Sequence, residues 1–367
     1  MPKIAFYINS LGKGGAEHVV VNLAEHFKSK GYEVVLVTSR KLEEEYEISD
    51  DIERIYSELT EDGVIIKNRI VHFITRFKYI RGIWKKSNPD IVVSFIGKLN
   101  MMAVLTLVGL KTPLIMSVRS DPNREYKSKM MRIISKTIFV KADGLVLQTD
   151  EAMKYFPRYI QKKACILPNA LNPSFIRERL DITRKDEIVT VGRLDANKNH
   201  KMLIRAFRNI SSDYPQMKLI IYGEGYEGSD TRPILETMAK KYGIEDKVIF
   251  GGRQTEIADL ICRSRIFVLS SNVEGMPNAL LEAMSLGLAV ISTDCPCGGP
   301  RAVIKDGQNG LLIPIGDTKA LEMAMRRILE NPMLEESLGK NANQIGEDLA
   351  PEKVNMMWQN YIESKMK

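Results

Sequence analysis

Two glutamates eight positions apart, Glu274 and Glu282, lie in the stretch SNVEGMPNALLE from Ser271 to Glu282 and bracket an expected helix start. It lies between an apolar run, Ile266 to Leu269, and a helical pattern of Ala279, Leu280, Leu281, Ala283 and Met284. Pro277 suits the first helical position, where its missing N–H is no loss and its φ is preset. Asn278, Ala279 and Leu280 would then offer backbone N–H groups at a positive helix end, a ready phosphate site. A pyrophosphate held there leaves one carboxylate near a group on its outer end and the other near a ribose. That geometry suits a nucleotide sugar. An ordinary strand–loop–helix with two solvated glutamates reads equally well, because helix amino ends commonly carry acids. Arg193 and Lys198 stand five apart in the loop after another apolar run, Ile188 to Val191. Both can reach one pyrophosphate, Arg as a fork and Lys as a point charge.

The pattern E-G-x-P-x-x-x-x-E-A-M-x-x-G, from Glu274 to Gly287, resembles the E-x7-E signature of retaining glycosyltransferases of family four. Gly192 to Lys198 is similar to that family's G-R-L-x-x-x-K. The resemblance implies the GT-B α/β fold, two doubly wound Rossmann-like domains with the donor cleft between them, the donor held mainly by the second. It implies transfer with retention by front-face attack, with Glu274 orienting the sugar hydroxyls and Glu282 holding the ribose. By the same resemblance Gly14 and Gly15 face the donor diphosphate, and Gly251-Gly252-Arg253 touches the nucleobase. Where the family often has a histidine at the reacting centre, this chain has Arg119, suited to a phosphate. Asp121 becomes the candidate acceptor-side carboxylate. Ala302 stands where the family commonly has Glu. Surface decoration is the alternative for both Arg119 and Asp121.

The elements that must position these groups alternate as βα units. Lys3 to Ile8, a glycine loop at Gly12, Gly14 and Gly15, and a helical run through Val19, Leu23 and Phe27 read as the first unit of a doubly wound sheet. Apolar runs recur at Val34 to Val37, Ile91 to Phe95, Leu114 to Val118 and Leu145 to Leu147. They predict a mostly parallel sheet with helices on both faces. PNALN, residues 168–172, and the polar run after it read as a linker. The alternation then restarts, giving an acceptor domain over 1–172, a donor domain over 184–350 and a terminal helix over 351–367 returning to the first domain. Gly223, Gly225 and Gly228 form a literal G-x-G-x-x-G. The next strand, Val248 to Phe250, ends without the ribose acid of a dinucleotide site. A tight turn near the sugar nucleotide, with Glu224 facing it, is the reading retained.

With 367 residues, the chain is long for one core and comfortable for two domains. No apolar run reaches the ~18–20 residues of a membrane span. Four cysteines, Cys165, Cys262, Cys295 and Cys297, show no disulfide framework, and C-x-C at Cys295 lacks a second ligand pair, so neither disulfide nor metal is expected. No D-x-D occurs to hold a metal diphosphate. Arg193, Lys198 and the helix amides would instead neutralise the leaving diphosphate, with no cofactor beyond the nucleotide-sugar donor. Of the net charge of +7, residues 1–170 carry 27 Lys+Arg against 19 Asp+Glu, and the remainder is near neutral. The first half is therefore expected to meet an anion. Ile65 to Lys86 adds a stripe of Ile66, Ile70, Phe73, Ile74, Phe77, Ile80 and Trp84 flanked by Lys67, Arg69, Arg76, Lys78, Arg81, Lys85 and Lys86, with no acid. Either it packs on the sheet or it lies on an anionic bilayer. The expected partners are a nucleotide sugar, a lipid-linked glycan acceptor and an anionic membrane surface, with no nucleic acid. A cytoplasmic location, peripheral on the inner face of the plasma membrane, follows. A GT-B epimerase would need cleft acid–base residues, and only His18, His26, His72 and His200 are available. A nicotinamide enzyme lacks its ribose acid. A non-catalytic nucleotide-sugar-binding subunit would bind donor without hydrolysing it.

Overall fold

The computed structural model describes residues 1–12, 14–58, 69–179, 181–226 and 228–366. The chain divides into two compact units, Met1–Ala170 with Pro351–Lys367, and Leu171–Ala350. In the first unit the strands are β1 (Lys3–Ile8), β2 (Glu33–Thr38), β3 (Glu53–Tyr56), β4 (Ile91–Phe95), β5 (Leu114–Ser117), β6 (Gly144–Leu147) and β7 (Ala164–Ile166). They pair in parallel in the order β3-β2-β1-β4-β5-β6-β7. The second unit has β8 (Lys185–Val191), β9 (Lys218–Tyr222), β10 (Val248–Gly252), β11 (Ser264–Leu269), β12 (Ala289–Thr293) and β13 (Leu311–Ile313). Their order, again all parallel, is β10-β9-β8-β11-β12-β13. Both sheets are doubly wound, and in each the direction of winding reverses between the first and fourth strands. Ligands bind at such a switch point, outside the carboxyl ends of the strands.

Continuous apolar strands produce this arrangement because both sheet faces are covered. Every residue of β4, Ile91–Phe95, is buried. In the second unit Leu203, Phe207 and Ile210 of helix His200–Ile210 and Leu321, Met325 and Ile328 of helix Thr318–Leu329 share one core with the strand residues Ile188, Leu219 and Ile221. Two strands of the first unit, β3 and β7, are too short and too exposed for period to reveal them.

Helix Arg69–Ser87 combines the two readings its sequence allows, although residues 65–68 of the expected stripe lie outside the described residues. Its carboxyl half packs inward: Ile80, Ile83 and Trp84 are buried, and Trp84 Nε1 donates to Thr106 Oγ1 at 2.9 Å. Its amino half does not, since Ile70 is 71% exposed and Phe73 and Ile74 are nearly half exposed. Nor are all its cations on an outer face. Arg76 Nη2 donates to Ser39 Oγ at 3.0 Å, and Arg81 Nη1 to the carbonyls of Thr106 and Val108 at 2.7 Å each.

One glycine is fixed by contact as well as conformation. Gly223, at the end of β9, has φ +132, and a Cβ there would fall on the Gly192 carbonyl oxygen. Gly223→Ala is therefore expected to destabilise the protein by about 1–3 kcal/mol. Urea unfolding at neutral pH measures it, and an unchanged midpoint and slope would refute the assignment.

Candidate functional site

In the second unit the loops after β8 and β11 meet at the switch point and are tied together by an asparagine-rich seam. Asn197 Nδ2 donates to the Val273 carbonyl at 2.9 Å, Asn272 N to the Asn197 carbonyl at 2.8 Å, and Asn272 Nδ2 to the Ala196 carbonyl at 3.1 Å. Ser270 Oγ donates to the Lys198 carbonyl at 2.8 Å. Asp195 turns the first loop by accepting from the amides of Asn197 and Lys198. Asn199, at φ 49 and ψ 40, occupies the left-handed region that asparagine tolerates, then passes the chain into helix His200–Ile210.

This seam brings Lys198 and Glu274 together. Lys198 Nζ donates to Glu274 Oε1 at 2.6 Å, and the two side chains are only 16% and 14% exposed. Arg193, on the same loop, is 60% exposed and 3.4 Å from Asp195. Next to Lys198 the His200 imidazole is pushed down to about 4, first by burial and then by the lysine charge, so it is neutral at pH 7. The Glu274–Gly275 turn is backed by the glycine turn after β12. A Cβ on Gly299 would overlap the Gly275 carbonyl. Cys295 lies against Glu274, and burial followed by that carboxylate raises its thiol to about 12. Cys297 holds φ 75, strained for a side-chain-bearing residue.

Helix Asn278–Ser285 begins one residue later than its sequence suggests. Pro277 is the extended N-cap, at φ −80 and ψ 104, and not the first helical residue. Its carbonyl accepts from the Leu280 amide at 3.0 Å, so that N–H is already used, and Asn278 and Ala279 precede it at the head of the helix. Any N-cap carbonyl takes the first intrahelical bond, and it is the extended ψ of 104 that keeps Pro277 outside the helix. Glu282 lies a turn inside, with no hydrogen bond or ion pair to its carboxyl among the described residues, and burial pushes the carboxyl up to about 7. The remaining donor candidates sit at the rim. Glu224 is exposed, its carbonyl taking the Leu194 amide at 2.9 Å, and Arg253 is exposed after β10.

The carboxyl edge of the first unit carries the other candidates. Gly14 is the N-cap of helix Gly15–Ser29, and its amide donates to the Gly12 carbonyl at 2.7 Å. A Cβ on Gly14 would meet the Glu17 carboxylate, so an acid already covers this helix end beside exposed Gly15. Asp121 is a cap and not an open carboxylate: Oδ1 accepts from the Asn123 amide at 2.9 Å and from Asn123 Nδ2 at 3.2 Å, with the residue 6% exposed. Asp-Pro-Asn at the start of a short helix is the signal for that role. Glu125, which sequence reasoning passed over, accepts from the amide of Gly97 and from Ser120 Oγ. It thereby supports the loop where Ile96 holds φ 72. Arg119 follows β5 and donates through Nη2 to Asn169 Oδ1. Asn169 belongs to the PNALN stretch that reads only as linker in sequence.

The Glu282 shift has a sign that can be tested. Its carboxyl binds a proton more tightly in the folded protein than at its ordinary 4.5. That contribution is fully present below about pH 4.5 and is lost as pH rises through about 7. Urea unfolding across pH 4.5 to 8 should show the wild type losing of order 3 kcal/mol relative to Glu282→Gln. Parallel curves would refute the burial described.

Comparison with known proteins agrees with this architecture. The model of Glycosyl transferases group 1 matches residues 174–345, and that of Glycosyltransferase Family 4 matches residues 13–175. The chain is 28% identical over 364 residues to a Campylobacter jejuni α-1,4-N-acetyl-D-galactosaminyltransferase, covering 98% of this chain and 97% of that one. The name of that relative gives it a diphospho-undecaprenol-linked, GalNAc-bearing acceptor. A second C. jejuni protein, an N-acetylgalactosamine-N,N'-diacetylbacillosaminyl-diphospho-undecaprenol 4-α-N-acetylgalactosaminyltransferase, is 28% identical, covering 93% and 94% of the two chains. Among solved structures, Anabaena HepE in complex with UDP superposes with a TM-score of 0.83 at 15% identity, covering 99% of this chain and 100% of that one. The two family models follow one another from residue 13 to residue 345, and the chain is a glycosyltransferase of the two-domain GT-B fold, similar to those that build bacterial glycans.

Proposed function

We propose that the protein is a retaining glycosyltransferase that moves a hexose or N-acetylhexosamine from a UDP-sugar to a hydroxyl of a polyprenyl-diphosphate-linked glycan. The observation that carries this reading is the Lys198–Glu274 pair at the switch point, beside a helix amino end headed by Asn278 and Ala279. The names of the Campylobacter relatives, which give diphospho-undecaprenol acceptors, support the acceptor class. Arg193, Lys198 and the two amides take the charge that grows on the leaving diphosphate, without a metal. The bond from C1 to the diphosphate oxygen breaks while the acceptor oxygen bonds to C1 on the same face. The departing phosphate oxygen takes the acceptor proton, and no protein nucleophile is required. Glu274 orients sugar hydroxyls and Glu282 accepts from the ribose hydroxyls.

Lys198 holds Glu274 at 2.6 Å. Donor phosphate competes for the lysine and so releases the carboxylate to the sugar. The basic first unit supplies the membrane side of the reading. Ile70, Val71, Phe73 and Ile74 of helix Arg69–Ser87 are exposed, with Lys78, Lys85 and Lys86 along the same helix, a composition that fits an anionic bilayer on the cytoplasmic side.

Thermal unfolding with UDP-, GDP- and ADP-sugars should show stabilisation by a UDP-sugar, abolished by Lys198→Ala and weakened by Glu282→Ala. With a lipid-linked acceptor, Glu274→Gln should lower kcat by about 10²–10³, and EDTA should leave the wild-type rate unchanged. No stabilisation by any nucleotide sugar would remove the donor assignment. For the membrane, sedimentation with vesicles containing phosphatidylglycerol should exceed that with neutral vesicles, and Ile70→Ser/Phe73→Ser should reduce it. Equal sedimentation with both vesicle types would exclude the surface proposed.

A further inference from the structure

Arg119 is provided for in a way that a structural arginine is not. It stands at the carboxyl edge of the first sheet, two residues past β5. Its Nη2 is tethered to Asn169 Oδ1, and Gln148 Nε2 fixes that same oxygen at 2.9 Å. The guanidinium carbon lies 5.8 Å from the ring centre of Trp358, which is fully buried and itself stacked on Phe95 at 5.9 Å and 28°. Both Nε and Nη1 are buried with no hydrogen-bond partner among the described residues. Burial alone shifts the group, down to about 9, so it stays charged at neutral pH and no nearby carboxylate contributes. Asp121, two residues on, uses its carboxylate on Asn123.

A buried cation without a counter-charge, with two N–H directions unmet, is strongly unfavourable unless something else completes it. The partners present hold the group without neutralising it. Asn169 is a neutral amide, and an indole face attracts a cation without taking an N–H. We propose that Arg119 is an oxyanion receptor of the first unit, that Trp358 and Asn169 are its positioning residues, and that the substrate seated on this unit presents it with an anionic oxygen. The placement of a substrate on this unit rests on the acceptor reading above. A phosphoryl oxygen of a diphosphate and the carboxylate of a uronic acid share the required chemistry. Since both nitrogens are closed to solvent, the incoming oxygen displaces their cover.

The test uses the full chain carrying Arg193→Ala and Lys198→Ala, so that phosphate ligands of the second unit do not contribute. Inorganic pyrophosphate, D-glucuronate and D-glucose are titrated by calorimetry. At least one anion should bind and glucose should not. Arg119→Lys should weaken the anion about tenfold and Arg119→Gln about a hundredfold, the range of charge-assisted hydrogen bonds. Trp358→Leu should weaken it several-fold and Trp358→Phe should recover most of the loss, which a role in packing alone does not require. Binding of pyrophosphate alone assigns the phosphoryl source, and binding of glucuronate alone assigns the carboxylate. Failure of both anions to bind, or equal binding by Arg119→Gln and Arg119→Lys proteins of unchanged circular dichroism, overturns the proposal. Anion binding is read without sugar transfer, so failure of the transferase reading would appear separately, as nucleotide-sugar stabilisation absent from the wild type.

Discussion

A lysine and a glutamate of low exposure, 2.6 Å apart on two different loops, set the terms for the second unit. Each charge has left most of its water, and the other compensates it. Removing one partner would leave the other buried and unpaired, a larger penalty than the pair itself is worth. The loops must therefore be held to within a fraction of an ångström, and the surrounding chain does so with backbone contacts. Asparagine amides sew Ala196–Asn199 to Asn272–Val273. Glycines at 223 and 299 let neighbouring turns approach closer than any side chain would permit.

The same constraint makes the loops responsive. A pair that satisfies itself is a competitor for whatever charge arrives, so part of any ligand's affinity is used in separating it. Preorganisation here lies in the backbone, which stays laced, while the charged ends exchange partners. His200, held neutral under the lysine, adds no rival positive charge to that exchange.

The parallel doubly wound sheets and the loops at the strand ends of the second unit are legible in the sequence because they rest on local pattern. Apolar runs of strand length, glycine turns after them and G-R-L-x-x-x-K at a strand end all lie within a few residues of one another. Glu274 and Lys198 are 76 residues apart, yet each is announced by its own loop. What was hidden depends on distance or on single-residue geometry. Whether Pro277 is cap or first helical residue turns on one ψ angle. Asp121 looks like a free acid until Asn123 is seen to occupy it. The Arg119 cluster joins residues 119, 148, 169 and 358, and no periodicity links them. The split character of helix Arg69–Ser87 was hidden for a different reason: an apolar stripe records which face is greasy, and not whether anything covers it.

The first unit is built from two separate stretches of chain, and the later one is no ornament. Trp358 is fully buried against Phe95 of β4, the Tyr361 hydroxyl donates to the Lys163 carbonyl, and the Tyr32 hydroxyl donates to Glu363 at 2.6 Å. Residues 1–170 thus emerge from a ribosome without the side chains that close their core, and they must wait while 180 residues of another domain are made. During synthesis the second unit has its entire sequence before the first does. The first unit cannot close its core until that later stretch is made, and in that interval the aromatic surface around Phe95 is open to a chaperone or a mistaken neighbour.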